Sequence, residues 1–127
     1  MHSKNKLNKT TKEFVKFVSS KKAQDIVGFN ISKISSIADY MVICSGLNQR
    51  HVKMLAKEWV EISKKNKLPL LGAEGIDTGW WAILDAGDSI FHVFHPDARE
   101  FYGMEILWGD APEMNMGKIL KSEGPNG

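Results

Sequence analysis

The chain has 127 residues, the length of one domain, and its 43% apolar and 25% charged residues are ordinary shares for a soluble globular protein. A domain of this size buries roughly two-thirds of its unfolded surface, so it needs no metal or disulfide to fold, and one cysteine excludes an internal disulfide. No apolar run approaches the roughly 18 residues of a membrane span and no apolar stretch follows the N-terminal lysines, which predicts a cytoplasmic protein with no membrane partner.

The net charge of +2 conceals two regions of opposite sign. Residues 1–22 contain seven lysines and Glu13, which sum to +6, whereas residues 74–113 contain nine acids and Arg99, which sum to −8. Surfaces that bind nucleic acids collect lysine and arginine, because neutralised phosphates supply most of the affinity. The acidic region, which is also rich in aromatic residues, therefore favours a basic protein partner over bare RNA or DNA.

The first half of the chain predicts two helices and two strands. Thr10 and Glu13 match a capping box at the start of the first helix, and the lysines of that helix cover its solvent face. The stretch DYMVICS is almost wholly apolar, which is typical of a strand buried on both faces. In chain order, the predicted elements are a helix at 11–22, strands at 25–31 and 39–45, and a helix from an Asn48 cap to Lys65.

The second half predicts further strands and a short helix. Pro96 suits the first position of a helix, His95 is placed to cap it, and Gly103 is placed to end it. The predicted elements are a short strand at 68–71, a glycine-rich loop at 72–79, two hairpin strands at 80–85 and 89–95, and a helix that begins at Pro96.

Ala86-Gly87 is the predicted hairpin turn, because Gly87 supplies the positive φ that tight turns need. A two-residue loop at this position pairs Leu84 with Ser89 and Trp81 with His92. Each sheet face is then largely apolar and must be covered. One face would carry Trp81, Ile83, Ile90, His92 and Phe94, and the other Trp80, Ala82, Leu84, Phe91, Val93 and His95.

The order of elements, α-β-β-α-β-β-β-α, predicts one α/β domain with a mixed five-stranded sheet flanked by helices. Residues after Pro112 lack apolar periodicity and end in EGPNG. The predicted domain therefore covers residues 1–112, and residues 113–127 are predicted to be a mobile C-terminal tail.

The polar residues predict no catalytic or metal site. His92 and His95 point to opposite faces of a strand, so they are poorly placed to share a metal. Asp85 and Asp88 flank a turn, where aspartate is favoured for local hydrogen bonding. The loop CSGLNQRH, residues 44–51, has one glycine and neither a Walker lysine nor a nucleophile elbow. We therefore expect no metal, no cofactor and no enzymatic activity.

Several ordered motifs carry a family likeness. They are QDIVGFNIS at 24–32, SSIADYMVICSG at 35–46, NQRHV at 48–52, GAEG at 72–75 and WAILDAGDSIFHVFHPDAREFYGMEILWGDAP at 81–112. Together they resemble the ribosomal silencing factor family, also called the Iojap family, over residues 7–112. The last stretch is the most specific, because HVFHP, REFY and LWGDAP recur in that order and spacing.

The resemblance implies a nucleotidyltransferase-like fold without catalysis. The sequence agrees, because Ser45-Gly46 reverses the Gly-Ser order of those enzymes and two residues separate Asp85 from Asp88. It also implies binding to the large ribosomal subunit through its fourteenth protein, a steric block to joining of the small subunit, and repression of translation when nutrients are scarce. Two alternatives stay open, an assembly factor for the large subunit and a nucleotidyltransferase-like enzyme.

The family pattern implies a set of contact residues. Trp81 would be a contact, Arg99 and Tyr102 of the REFY motif would be its neighbours, and His92 would lie beside Trp81 in the hairpin. Trp80 departs from the pattern, in which a polar residue is common, so either tryptophan can be the one that docks. Further partner expectations are a minor contact of the lysine-rich first helix with ribosomal RNA, through Lys12, Lys16 and their neighbours, and a homodimer.

Overall fold

The computed structural model describes residues 8–121, which form a five-stranded sheet with helices packed on it. The strands are β1 (Gln24–Asn30), β2 (Tyr40–Ser45), β3 (Gly72–Glu74), β4 (Trp81–Asp85) and β5 (Ser89–Phe94). Their order in the sheet is β1-β2-β5-β4-β3; β2 and β5 are parallel, and the other neighbours are antiparallel. The predicted mixed α/β sheet is confirmed. Among the described residues, no helix combines the length and the apolar content needed to cross a bilayer.

Side-chain caps determine where the two longer helices begin. Asn48 accepts a hydrogen bond from the amide of His51, as predicted. The first helix begins earlier than predicted, because Asn8 and not Thr10 is its cap, and Asn8 accepts from the amide of Thr11. The helices are α1 (Lys9–Ser20), α2 (Gln49–Asn66), α3 (Pro96–Tyr102), α4 (Met104–Leu107) and α5 (Met116–Lys121), with a 3-10 turn at Ile76–Thr78.

The helices α1, α2 and α5 cover one face of the sheet and form the larger core. Phe14 of α1 stacks on Phe91 of β5 with ring centroids 4.0 Å apart, and Trp59 of α2 meets both rings edge-on. These three side chains are fully buried. Burying a side chain of this size contributes roughly 1.5–3 kcal/mol, so this aromatic cluster holds α1 and α2 on the sheet.

The opposite face has a smaller core and is only partly covered. Residues 31–38, α3 and residues 104–111 lie over β1, β2 and β5, where Ile43 and Phe94 are fully buried. Over β4, Trp81 and Ile83 are only partly buried. Because this end of the sheet is uncovered, part of the Trp81 side chain is in contact with solvent.

The hairpin register differs from the prediction by two residues. Trp81 pairs with Phe94 and Ile83 pairs with His92. The amide of Ala86 donates to the carbonyl of Ser89, at 2.9 Å, so the turn consists of Gly87 and Asp88 and not of Ala86-Gly87. Because the difference is an even number, every side chain keeps its predicted face.

The predicted strand at 68–71 is wrong. The edge strand β3 comprises Gly72–Glu74, inside the stretch predicted as a glycine-rich loop. All three of its residues are exposed. A strand exposed at the sheet edge has no apolar alternation, so the sequence pattern favours the more apolar residues before it.

Residues 113–121, predicted as part of a mobile tail, are packed on the domain. Glu113 forms a bridge with Phe29 at the outer edge of β1, and the amide of Met114 donates to the carbonyl of Gly28 at 2.7 Å. Helix α5 follows and buries Ile119 in the larger core. The predicted domain end at residue 112 is therefore wrong for residues 113–121, while residues 122–127 lie outside the described part of the chain.

Replacing Ile119 with alanine should lower the free energy of unfolding by about 2 kcal/mol, because a buried isoleucine is removed from the core. The matched control is Leu120→Ala, since Leu120 is adjacent but 41% exposed, and it should change that free energy by about 1 kcal/mol or less. Urea unfolding of both variants measures the difference. Equal values for the two variants would mean that α5 does not contribute to the core.

Candidate protein-docking surface

Trp81, the first residue of β4, is the centre of an aromatic cluster beside the open end of the sheet. Its ring stacks on Phe94 at 5.0 Å and lies 4.7 Å from the ring of Tyr102, measured between centroids. Its indole nitrogen Nε1 donates to Nδ1 of His92 at 3.0 Å. The structure thus brings together three of the four predicted contact residues, Trp81, His92 and Tyr102.

His92 is 4% exposed, so it faces the interior and is placed to orient Trp81. Because Nδ1 accepts from the indole N–H, the neutral ring carries its proton on Nε2. The described residues provide no hydrogen-bond partner for that buried Nε2 atom. Burial lowers the pKa of His92 to about 4, so the ring is neutral at pH 7 and the bond from Trp81 is retained.

This lowered pKa predicts acid sensitivity between about pH 6.5 and pH 4. In that window the unfolded chain binds a proton that the folded chain does not, so stability is complete above pH 6.5 and falls as the pH falls. Relative to His92→Gln, the wild-type protein should lose about 2 kcal/mol more unfolding free energy between pH 7 and pH 5. Urea titrations at both values measure this difference. Parallel losses in the two proteins would contradict it.

Arg99 is the fourth predicted contact, and the structure places it differently. Its Nε and Nη2 atoms donate to the two carboxylate oxygens of Glu105, at 3.0 and 2.9 Å, and Nη1 donates to Oγ of Ser45 at 2.9 Å. The side chain is 10% exposed. Arg99 therefore links α4 to the end of β2 and holds α4 in position.

The helices α3 and α4 expose large apolar side chains that the sequence did not single out. Phe101 packs edge-on against Tyr102, with ring centroids 4.9 Å apart, and Ile106 lies beside Gly103. An exposed apolar patch of this kind is typical of an interaction site. We call the following set the docking surface: the half-buried Trp81 and the exposed Phe101, Tyr102, Ile106 and Leu107. The sequence does carry a signal for Ile106 and Leu107. They lie in the run EILW between Gly103 and Gly109, which is too short to bury all of its apolar residues.

Trp80 lies apart from this cluster. It precedes β4, and its ring stacks on His95 at 5.2 Å between centroids. His95 in turn caps α3, because its Nδ1 accepts from the amide of Asp97 at 3.1 Å, as predicted. Of the two adjacent tryptophans, Trp81 is therefore the one in contact with Tyr102.

The other side chains that could carry chemistry, Cys44 and His51 among them, have structural roles. Burial raises the pKa of the Cys44 thiol to about 12, which leaves it protonated at neutral pH. Residues 8–121 contain no group of three or more histidine, cysteine, aspartate or glutamate side chains arranged to hold a metal. His51 joins two elements, since its Nδ1 accepts from the amide of Leu47 and its Nε2 lies 2.8 Å from the carbonyl of Lys21.

The fold and this surface define a single-domain α/β protein with an exposed aromatic and apolar face beside its sheet. The model of one family, described as "Ribosomal silencing factor during starvation", matches residues 4–126. The chain therefore belongs to the ribosomal silencing factor family.

Individual relatives agree with this assignment. A ribosomal silencing factor from Halalkalibacterium halodurans is 36% identical over 106 residues, which cover 84% of this chain and 91% of the relative. One from Bacillus subtilis is 40% identical over 92 residues, covering 72% and 78%. The mouse protein named "Mitochondrial assembly of ribosomal large subunit protein 1" is 31% identical over 97 residues, which are 74% of this chain and 42% of that protein.

Two crystal structures share the fold. A protein of Chromobacterium violaceum matches with a TM-score of 0.77 and 32% identity, covering 82% of this chain and 87% of its own. A protein of Bacillus halodurans matches with a TM-score of 0.73 and 30% identity, covering 85% and 99%. The expected resemblance to the ribosomal silencing factor family is confirmed.

Proposed function

We propose that this protein silences ribosomes by binding the large subunit through its fourteenth protein. Once bound, it sterically blocks joining of the small subunit and represses translation when nutrients are limiting. The observation that carries the proposal is the docking surface, in which Trp81 and Tyr102 form an aromatic centre and exposed aliphatic side chains extend along α4. Aromatic anchors surrounded by apolar contacts are characteristic of the energetic centre of protein interfaces.

Charge supports a basic protein as the partner. Asp97, Glu100 and Asp110 are exposed on or near α3 and α4, in a region whose net charge is −8 over residues 74–113. Ribosomal proteins that lie on RNA are generally basic, and opposite surface charges increase the association rate. The proposal therefore predicts that salt slows binding more than it speeds dissociation.

The experiment is co-sedimentation of the purified protein with isolated large subunits, followed by addition of small subunits at a magnesium concentration that supports joining. Binding together with loss of joined ribosomes supports silencing. Absence of binding would contradict the proposal. Serum albumin at the same concentration is the control for trapping in the pellet.

A role in large-subunit assembly is the second candidate, and the mouse relative named for that assembly favours it. Both roles use the same docking surface, so binding alone does not separate them. Binding to the large subunit without a block of joining would favour assembly. Accumulation of large-subunit precursors in cells that lack the protein would favour it further.

We also propose four subsidiary properties. Lys12 and Lys16 of α1 make a minor contact with ribosomal RNA, which a steep salt dependence with naked ribosomal RNA would support. The protein acts in the cytoplasm, where it meets ribosomes, and a homodimer through the docking surface would compete with ribosome binding. It regulates rather than catalyses, which agrees with the engagement of the Ser45 hydroxyl by Arg99.

A further inference from the structure

A cleft of about 590 Å³ opens beside the docking surface, at the carboxyl ends of β2 and β5. These strands are parallel neighbours, and Ser45 at the end of β2 pairs with Phe94 at the end of β5. The helix after β2 packs on the face of the larger core, whereas the helix after β5 packs on the opposite face. In open α/β sheets, a crevice forms where two neighbouring strands are followed by helices on opposite faces of the sheet, and ligands commonly bind there.

The lining of the cleft is apolar at its sides and negative overall. Leu47 and Ile106 are both largely exposed and line it together with Pro96. Its charged residues are Asp25, Glu100, Glu105 and Arg99, which give a net charge of −2. The guanidinium of Arg99 is already engaged by Glu105 and Ser45. No uncompensated positive charge therefore faces the cleft from these residues.

Two backbone amides at the junction of β2 and α2 are not free to bind a phosphate. Phosphate-binding loops direct free backbone N–H groups at the anion. Here the amide of Leu47 donates to Nδ1 of His51 at 2.8 Å, and the amide of His51 donates to Oδ1 of Asn48 at 2.9 Å. The chain thus satisfies these donors itself, and a nucleotide would also meet three carboxylates.

We propose that this cleft receives an arginine or lysine side chain from the basic protein that binds the docking surface. Such side chains have an aliphatic stem and a cationic end. The stem would lie between Leu47 and Ile106, and the cation would meet the carboxylates of Asp25 and Glu100. The inference rests on the proposed function, because Ile106 belongs both to the cleft and to the docking surface.

The test is the double variant Asp25→Asn and Glu100→Gln, assayed by co-sedimentation with isolated large subunits. Both residues are exposed. Asp25 has a φ of 49°, in the left-handed region, where asparagine is well tolerated, so the fold should be retained. The control is Asp39→Asn with Glu61→Gln, which changes the net charge by the same amount at exposed positions before β2 and on α2, away from the cleft.

The cleft variant should bind the large subunit about fivefold more weakly than the control variant, with a weaker dependence on salt. Equal binding by the two variants would overturn the cleft proposal and leave the docking surface intact. Failure of the wild-type protein to bind would overturn both. Amide NMR shifts at Gly46 and Leu47 on addition of ATP with magnesium, absent with sodium chloride, would also overturn it in favour of a nucleotide.

Discussion

Trp81→Ala is expected to weaken binding to the large ribosomal subunit by about 2 kcal/mol, which is about 30-fold in dissociation constant. The indole joins Tyr102 of α3 to the sheet and is oriented by His92, so its removal opens the centre of the docking surface. Titration of large subunits with fluorescently labelled protein measures the change. Circular dichroism before each titration gives the folded fraction, because Trp81 also stacks on Phe94.

Two further variants make this result interpretable. Trp80→Ala removes an adjacent tryptophan that stacks on His95, outside the docking surface, and should change the dissociation constant by about threefold or less. Phe101→Ala removes a side chain that is 77% exposed, so it should weaken binding without lowering stability. Wild-type affinity in both Trp81→Ala and Phe101→Ala would place the interface elsewhere on the protein.

Arg99→Ala is expected to lower the free energy of unfolding by about 3 kcal/mol and to weaken large-subunit binding. The change removes three hydrogen bonds of a largely buried guanidinium and leaves Glu105 without its partner. This loss is at the lower end of the range for a buried ion pair, because Glu105 is 38% exposed and solvent screens its charge. Binding weakens because α4, which carries Ile106 and Leu107, loses its attachment to β2.

Arg99→Lys and a pH series separate this positioning role from direct contact. Lysine keeps the charge but not the two-pronged geometry, so it should restore little of the lost stability. The hydrogen bonds from Arg99 hold the pKa of Glu105 below its usual value. The resulting stability is present above roughly pH 4.3 and is lost as the pH falls through the lowered pKa.

Wild-type protein should therefore lose more stability than Arg99→Ala on acidification below pH 5, measured by urea unfolding. Identical acid profiles would show that the ion pair does not stabilise the fold in solution. Weakened binding with unchanged stability and an unchanged acid profile would instead favour Arg99 as a direct contact.

Local rules succeeded for two of the three predicted helix caps, and the exception is α1, which Asn8 caps in place of Thr10. Asn48 caps α2 and His95 caps α3 as predicted, because a cap bonds amides two or three residues away. The apolar run at Tyr40–Ser45 is buried throughout, and the two faces of the hairpin are as predicted. Alternation along a strand is independent of its partner, so the faces remained correct although the predicted register was off by two residues.

The predicted contact residues show the same difference between what local sequence indicates and what the fold decides. The family motifs drew attention to Trp81, His92, Arg99 and Tyr102, but their surroundings depend on distant parts of the chain. His92 is buried between strands that are apart in sequence, and Arg99 reaches Ser45, 54 residues away. The exposure of Ile106 and Leu107 depends on the placement of α4, which no apolar period indicates in four residues.

The sequence by itself determined the α/β class, the central strands, the caps of α2 and α3, and the family, because periodicity, these caps and ordered motifs depend on residues close together in the chain. Only the tertiary structure decided that residues 113–121 pack on the domain, that Arg99 bonds Glu105 and Ser45, and that exposed apolar side chains continue onto α4. The physical reason is that burial and hydrogen-bond partners are properties of the folded chain. A polar or apolar side chain has the same chemistry in the sequence whether it faces a neighbour, the core or solvent.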